Sequence, residues 1–214
     1  MRENSSEITK YIQIAKKNHK EGNIYQANEI YKKLINQKIY TYDLLISYGV
    51  FNKDINNLKI AKNLFILSIK KYPLKINTYI LLAEILRKEN EINDALKTLF
   101  AAKKIDKSNP DIYYNLSITY RAFKSFKDSL LSIDFAIKLQ PKNQIYKILK
   151  ADILTESFQN EEAKELLANL KLSKDSVLYF QREILISKLS INQKKYTKAE
   201  EVLLNLKKLF NKEK

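Results

Sequence analysis

Apolar residues recur along most of the chain at spacings of three and four, with polar and charged residues between them. An α-helix brings such positions onto one face, so the pattern predicts amphipathic helices. It is well developed at Ile76, Ile80, Leu82, Ala83, Leu86, Ile92, Ala95, Leu96, Leu99 and Ala102. Polar breaks between successive helical stretches predict short turns, and they fall near Gly22, Asn56, Asn90 and Asn160.

A small residue followed four positions later by a large one recurs six times, at spacings of 34, 34, 34, 34 and 36 residues. The small members are Ala27, Ala61, Ala95, Ser129, Ala163 and Ala199. A second series of small residues lies twelve positions earlier, at Ala15, Gly49, Ala83, Ser117, Ala151 and Ser187. Two antiparallel helices approach closely only where the side chains at their crossing are small, so each unit is predicted to be a helix pair.

This unit resembles the tetratricopeptide repeat, a helix-turn-helix of the same length, over roughly residues 8 to 210. The match is strongest at Tyr79, Leu82, Ala83, Leu86, Ala95, Leu99 and Ala102, and at Tyr113, Leu116, Ser117, Tyr120, Ala136 and Pro141. The resemblance implies an all-α, right-handed superhelical solenoid of about six repeats, forming a single domain over residues 1–214. The predicted units are about 8–41, 42–75, 76–109, 110–143, 144–177 and 178–214.

Composition supports a helical protein and excludes several kinds of chemistry. Only 2 Gly and 3 Pro occur in 214 residues, too few for many β-turns or for a glycine-rich phosphate loop. The absence of Cys excludes disulfides and thiol nucleophiles, and a single His excludes metal sites with several His ligands. We therefore expect no catalytic residues, no cofactor, no metal and no enzymatic activity, and we expect His19 to be a solvated surface side chain.

The net charge of +15 comes almost entirely from lysine. Codon bias in an AT-rich genome explains such a chain, which is also rich in Ile and Asn. The alternative is an acidic partner, either nucleic acid or an acidic membrane surface. No apolar run is long enough to span a membrane, and the first ten residues lack the apolar core of a signal peptide. A cytoplasmic location is therefore expected.

By resemblance, the first helix of each pair lines the concave surface, and its second, fifth, ninth, twelfth and thirteenth positions face inward. The fifth position is large and apolar or aromatic in every unit: Ile12, Ile46, Ile80, Tyr114, Ile148 and Ile184. Such a stripe suits a peptide with apolar anchors. The same residues suit packing beneath the neighbouring first helix, and both interpretations stay open at this point.

Eight residues are predicted to bind a peptide. Seven of them hold inward positions, namely Ile80, Arg87, Lys88, Tyr114, Ile118, Arg121 and Ile148, and the eighth is Asn115 at a sixth position, where it resembles the family's usual contact to a peptide backbone. The apolar members are predicted to anchor the ligand, and the amide of Asn115 to pair with its backbone. The three cations are predicted to bind a carboxylate or phosphate, since arginine offers a planar fork of donors. Alternatively, these cations pair with three carboxylates of the chain itself, those of Glu84, Glu89 and Asp111.

The predicted function is that of a non-catalytic protein–protein interaction scaffold that binds a peptide or partner segment on its concave surface. Two alternatives stay open. The repeats serve as the recognition module of a larger transferase enzyme or complex, or they bind RNA through the basic surface. The expected partner is accordingly a protein or peptide, with nucleic acid as the weaker alternative.

Overall fold

The computed structural model describes residues 5–174 and 176–212, and within them it contains twelve α-helices and no strand. The helices are α1 (Ser5–Lys20), α2 (Ile24–Asn36), α3 (Tyr42–Asp54), α4 (Leu58–Lys71), α5 (Ile76–Lys88), α6 (Ile92–Ile105), α7 (Pro110–Ala122), α8 (Phe126–Leu139), α9 (Gln144–Glu156), α10 (Asn160–Ala168), α11 (Val177–Asn192) and α12 (Tyr196–Lys212). The predicted all-α repeat fold is confirmed. No described helix is both long enough and apolar enough to cross a membrane.

The helix pairs follow the period of the sequence. Four successive first helices begin at Tyr42, Ile76, Pro110 and Gln144, and each of these starts lies 34 residues after the previous one. Pro110 occupies the first position of α7, where a missing N–H costs no hydrogen bond, and the side chain of Asn109 caps the helix by accepting from the Asp111 N–H. Local sequence therefore fixes where α7 begins.

The chain divides into two compact units. The N-terminal unit, Met1–Lys107, contains α1 to α6, and the C-terminal unit, Ser108–Lys214, contains α7 to α12. Each unit therefore holds three helix pairs. That all six pairs form one domain stays a prediction.

Small residues lie at the helix crossings of both units. Ala83 and Ala95 in the N-terminal unit are fully buried, as the predicted close approach requires. Ser117 and Ser129 hold the same two register positions in α7 and α8, and they are also fully buried. The Ser129 hydroxyl donates to the Ser117 carbonyl oxygen at 2.8 Å, so this crossing contains a hydrogen bond between its helices.

The turn within each helix pair contains one residue with a left-handed backbone. These residues are Gly22, Asn56 and Asn90 in the N-terminal unit and Lys124, Phe158 and Lys194 in the C-terminal unit, with φ between 58° and 79°. The carbonyls at the end of each first helix are satisfied there: the Asn57 N–H donates to the Asn52 carbonyl and the Asn56 N–H to that of Lys53. In the fifth pair the left-handed residue is Phe158, whereas Asn160 begins α10.

Candidate ligand grooves on the first helices

The first helices of the C-terminal unit lie side by side and run in the same direction. Near their starts, the Tyr146 hydroxyl of α9 donates to Asp111 of α7 at 2.8 Å. At their ends, the guanidinium of Arg121 on α7 donates to the carboxylate of Glu156 on α9. Burial and the hydrogen bond to Asp111 both raise the pKa of Tyr146, so its hydroxyl stays protonated and donates.

These helices form an apolar groove of about 600 Å³. The lining residues come from α7, α9 and α11 and are Tyr114, Ile145, Ile148, Leu149, Asp152, Val177, Leu178, Gln181, Ile184, Leu185 and Lys188. Val177, Ile145 and Ile184 are exposed, so apolar side chains are accessible within it. We refer to this set of residues as the apolar groove.

The charged side chains of the apolar groove are engaged with one another. Asp152 lies 2.7 Å from the guanidinium of Arg121 and 3.5 Å from the ammonium of Lys188. The hydrogen bond from Arg121 lowers the pKa of Glu156 below its ordinary value, which keeps that carboxyl ionised. The accessible contacts that the groove offers are therefore mainly apolar.

The N-terminal unit has a groove of similar size, about 630 Å³, with a different lining. We call it the charged groove, and its residues come from α1, α2 and α3: Gln13, Lys16, Lys17, His19, Lys20, Tyr31, Asp43, Ile46, Ser47, Val50 and Asp54. Lys16 binds Asp43 at 2.7 Å, and the His19 ring lies 3.5 Å from Asp54. Lys16 and Asp43 therefore neutralise each other between α1 and α3, and Lys17 and Lys20 add positive charge to the lining of this groove.

His19 differs from its prediction as a solvated side chain. It is half-buried, with its ring 5.1 Å from that of Phe51 in an edge-to-face contact. The sequence did not reveal Asp54 as its neighbour because the two residues lie on different repeats.

Tyr31, which also lines the charged groove, has a buried hydroxyl with no partner among the described residues. Burial and the nearby Asp43 raise the pKa of Tyr31 to about 12.

The predicted apolar anchors differ in burial. Ile80 on α5 and Tyr114 and Ile118 on α7 are half-buried, and the Tyr114 ring lies 5.2 Å from that of Tyr146. Ile148 is only 7% exposed and belongs to the core packed between α9, α10 and α11. Of the fifth-position stripe, Ile12 is also buried whereas Ile184 is exposed. The stripe is therefore buried at Ile12 and Ile148 and accessible at Ile184, and its role in anchoring a peptide stays a prediction.

The predicted charged and polar contacts have partners within the chain. Lys88 lies 3.5 Å from Glu84, as the alternative interpretation predicts. The predicted partners of Arg121 are wrong, because it pairs with Glu156 and Asp152 from the next first helix. The half-buried Arg87 also has an interaction partner.

Asn115 is buried, and its amide donates to the Asp111 carbonyl one turn earlier in α7. A shared role of the eight residues in binding a ligand stays a prediction.

Sequence reasoning missed several residues of the apolar groove, among them Ile145, Val177 and Gln181. Ile145 holds a second position, which the resemblance already placed on the inner surface. Val177 fell outside the last predicted first helix, because the 36-residue step hides its register and α11 begins one residue before the predicted unit. Residues 5–174 and 176–212 contain no group of three or more His, Asp or Glu side chains placed so that they could hold a metal ion.

Solved structures with similar folds include tetratricopeptide repeat proteins. A tetratricopeptide repeat protein from Parabacteroides merdae superposes with a TM-score of 0.78 at 10% identity, covering 96% of this chain and 80% of that one. PilF of Pseudomonas aeruginosa gives a TM-score of 0.71 at 16% identity, and the superposition covers 95% of this chain and 92% of PilF. TTC0263, a tetratricopeptide repeat protein of Thermus thermophilus, gives a TM-score of 0.69 at 12% identity, and the superposition covers 84% of this chain and 98% of TTC0263.

No family model matches this sequence, and no curated protein matches it. The evidence for its fold is therefore the 34-residue period together with the likeness to solved structures. The helix starts of the structure follow the same period. The protein has the tetratricopeptide repeat fold.

Proposed function

We propose that the protein is a non-catalytic interaction scaffold whose apolar groove binds a segment of a partner protein. The observation that carries this proposal is the exposure of apolar side chains in a groove whose charged residues are paired with each other. Burying such side chains against a partner contributes about 25 cal/mol per Å² of apolar surface removed from water. The fold agrees with this role, since repeats of paired helices present extended binding surfaces.

The groove also limits the form of the partner. Its residues on α11 extend from Val177 to Lys188, a length of about 16 Å at 1.5 Å per residue. That length accommodates about three turns of a helix or about five residues of extended chain. The partner segment is therefore short and presents apolar side chains along one face, as in helix-in-groove recognition.

The half-buried Tyr114 and the exposed Ile184, which are both accessible from the groove, are the positions used to test this function. Wild-type protein and a Tyr114→Glu, Ile184→Glu double variant are used to capture partners from nuclease-treated lysate of the source cells, and the captured proteins are identified by mass spectrometry. We expect one or more proteins to be retained by the wild type and lost from the variant, because each substitution places a charge against the apolar partner. A synthetic peptide from the captured protein is then titrated by calorimetry.

Ile60 on α4 provides a matched control, since Ile60 and Ile184 are both 44% exposed and Ile60 lies outside the apolar groove. Ile60→Glu is expected to retain the same partner. Ile148→Glu is avoided because a charge at this buried position unfolds the unit. Capture that persists in the double variant, or that depends on intact nucleic acid, would contradict the proposal.

A further inference from the structure

The turns within the three helix pairs of the C-terminal unit lie along one edge. Asn192 at the end of α11 donates to the Thr155 carbonyl at the end of α9, and Gln193 donates to Glu161 at the start of α10. Arg121 and Glu156 join the ends of α7 and α9 in the same way. Parallel first helices with adjacent ends place the three following turns side by side. We call the segments 123–128, 158–164 and 193–198 the turn edge.

Aromatic side chains project from every segment of the turn edge. Phe123 directly precedes the left-handed Lys124, Phe158 is itself the left-handed residue, and Tyr196 begins α12. All three are exposed, Phe158 to 73%. At this level of exposure more than half of each side chain stays accessible, so the rings are available for contacts outside the chain.

Phe158 is the most informative of the three because its backbone is unfavourable for its side chain. Its φ is +61°, a conformation that glycine and asparagine adopt readily and a bulky residue does not. The register-equivalent positions in the N-terminal unit carry the suitable residues, Gly22, Asn56 and Asn90. A strained and exposed aromatic residue points to a function at that position.

Lysines accompany these rings. The turn edge carries six of them against three acidic residues, and the lysines are Lys124, Lys127, Lys164, Lys194, Lys195 and Lys198. One of the acids, Asp128, accepts a hydrogen bond from Ser125, and another, Glu161, accepts one from Gln193. The positive charge therefore predominates along an edge that also presents apolar rings.

We infer that the turn edge of the C-terminal unit docks on a membrane surface that contains anionic lipid. Projecting aromatic rings insert into the boundary between headgroups and acyl chains, and lysines beside them are attracted to the negative surface. The three turns reach a flat surface together because they lie along one edge. No spanning helix is needed for this mode of attachment.

The same side-chain types also occur in proteins that bind single-stranded nucleic acid, where bases stack on aromatic residues inside a basic groove. The grooves of this protein differ from that arrangement: the apolar groove and the charged groove are both formed by first helices, and neither contains Phe123, Phe158 or Tyr196. Projection from an edge favours a lipid surface over a nucleic acid strand.

Vesicle flotation tests the inference with the full-length chain. Wild-type protein is expected to float with vesicles of phosphatidylcholine containing 30 mol % phosphatidylserine, and to remain at the bottom with pure phosphatidylcholine. Phe158→Asn is expected to lower the partition coefficient by about tenfold, since it removes one inserting ring. This variant also relieves the backbone strain, so it folds at least as well as the wild type.

A second variant, Lys124→Glu with Lys194→Glu, tests the electrostatic part and is expected to abolish the preference for phosphatidylserine. Tyr25→Ser is the matched control, because Tyr25 is 74% exposed but lies in the N-terminal unit; its flotation should equal that of the wild type. Absence of flotation with phosphatidylserine, or flotation that Phe158→Asn leaves unchanged, would overturn the inference. A single-stranded U30 oligonucleotide that binds the wild type and is lost in Phe158→Asn would instead assign the turn edge to nucleic acid.

Discussion

The two units share one repeat and differ in the residues that they place on it. In the turns within the helix pairs, the N-terminal unit has Gly22, Asn56 and Asn90, whereas the C-terminal unit has Lys124, Phe158 and Lys194 at the same backbone positions. The types of residue that line the grooves differ as well, since most are charged or polar in one groove and apolar in the other, although both grooves present mainly apolar surface. Backbone geometry is therefore set by the period, and surface chemistry varies independently of it.

This difference distinguishes residues that maintain the fold from surface residues that the fold does not require. A position that is small and buried in both units supports the helix crossing and cannot vary far. A position that is relaxed in one unit and strained in the other carries a cost that the fold does not require. Phe158 is such a strained position. The groove residue Val177 is 72% exposed, so most of its side chain lies outside the packed core.

The largest effect is expected at a helix crossing. Ala95→Leu inserts a large side chain at a fully buried position between paired helices and should lower the free energy of unfolding by about 3 kcal/mol. Ser129→Ala at the equivalent crossing of the C-terminal unit removes only a hydroxyl and its two hydrogen bonds with Ser117, so we expect a loss of about 1 kcal/mol. Urea unfolding followed by circular dichroism measures both losses of stability. Equal losses would contradict the expectation that an inserted side chain costs more at a crossing than a removed hydroxyl.

An intermediate effect is expected from Arg121, which joins α7 and α9. Arg121→Met should lower the free energy of unfolding by about 1 kcal/mol at pH 7, since it removes partly exposed ion pairs with two carboxylates. In the N-terminal unit, Lys53→Met removes only the pairing with Glu84 and should cost less.

The effect of Arg121→Met should also depend on pH. The pKa of Glu156 is lowered in the folded protein, so its stabilising contribution is complete above the ordinary value of 4.5 and is lost as the pH falls through the lowered pKa. Unfolding midpoints of wild type and Arg121→Met should therefore differ at pH 7 and converge as the pH falls through the lowered pKa of Glu156. A difference that stays the same over an acid titration would mean that Arg121 acts through packing.

The smallest effect, and one of opposite sign, is expected at the left-handed turns. Phe158→Asn should stabilise the protein by about 1 kcal/mol, because asparagine tolerates a positive φ. The reciprocal substitution, Asn56→Phe, should destabilise it by a similar amount. Thermal unfolding of the two variants checks the pair; a loss of stability in Phe158→Asn would show that the ring packs favourably within the fold.

Helical periodicity and the spacing of small residues predicted the repeat, since both depend on contacts between residues close in sequence. The starts of α3, α5, α7 and α9 coincide with the predicted unit boundaries for this reason. The partners of Arg121 and His19 were not predictable in this way. They depend on which side chains of successive first helices meet, and those lie about one repeat apart in the sequence.

The sequence by itself determined the helical content, the 34-residue unit and the small residues at each crossing, because these follow from the geometry of a helix and of a close helix pair. Only the tertiary structure decided which apolar positions are exposed, burying Ile148 while leaving Ile184 accessible at the same register position. It also decided which charges neutralise one another, and it showed that Phe158 has a left-handed backbone. Exposure and pairing depend on neighbours from other repeats, and a periodic pattern does not specify how each neighbour fills the space beside it.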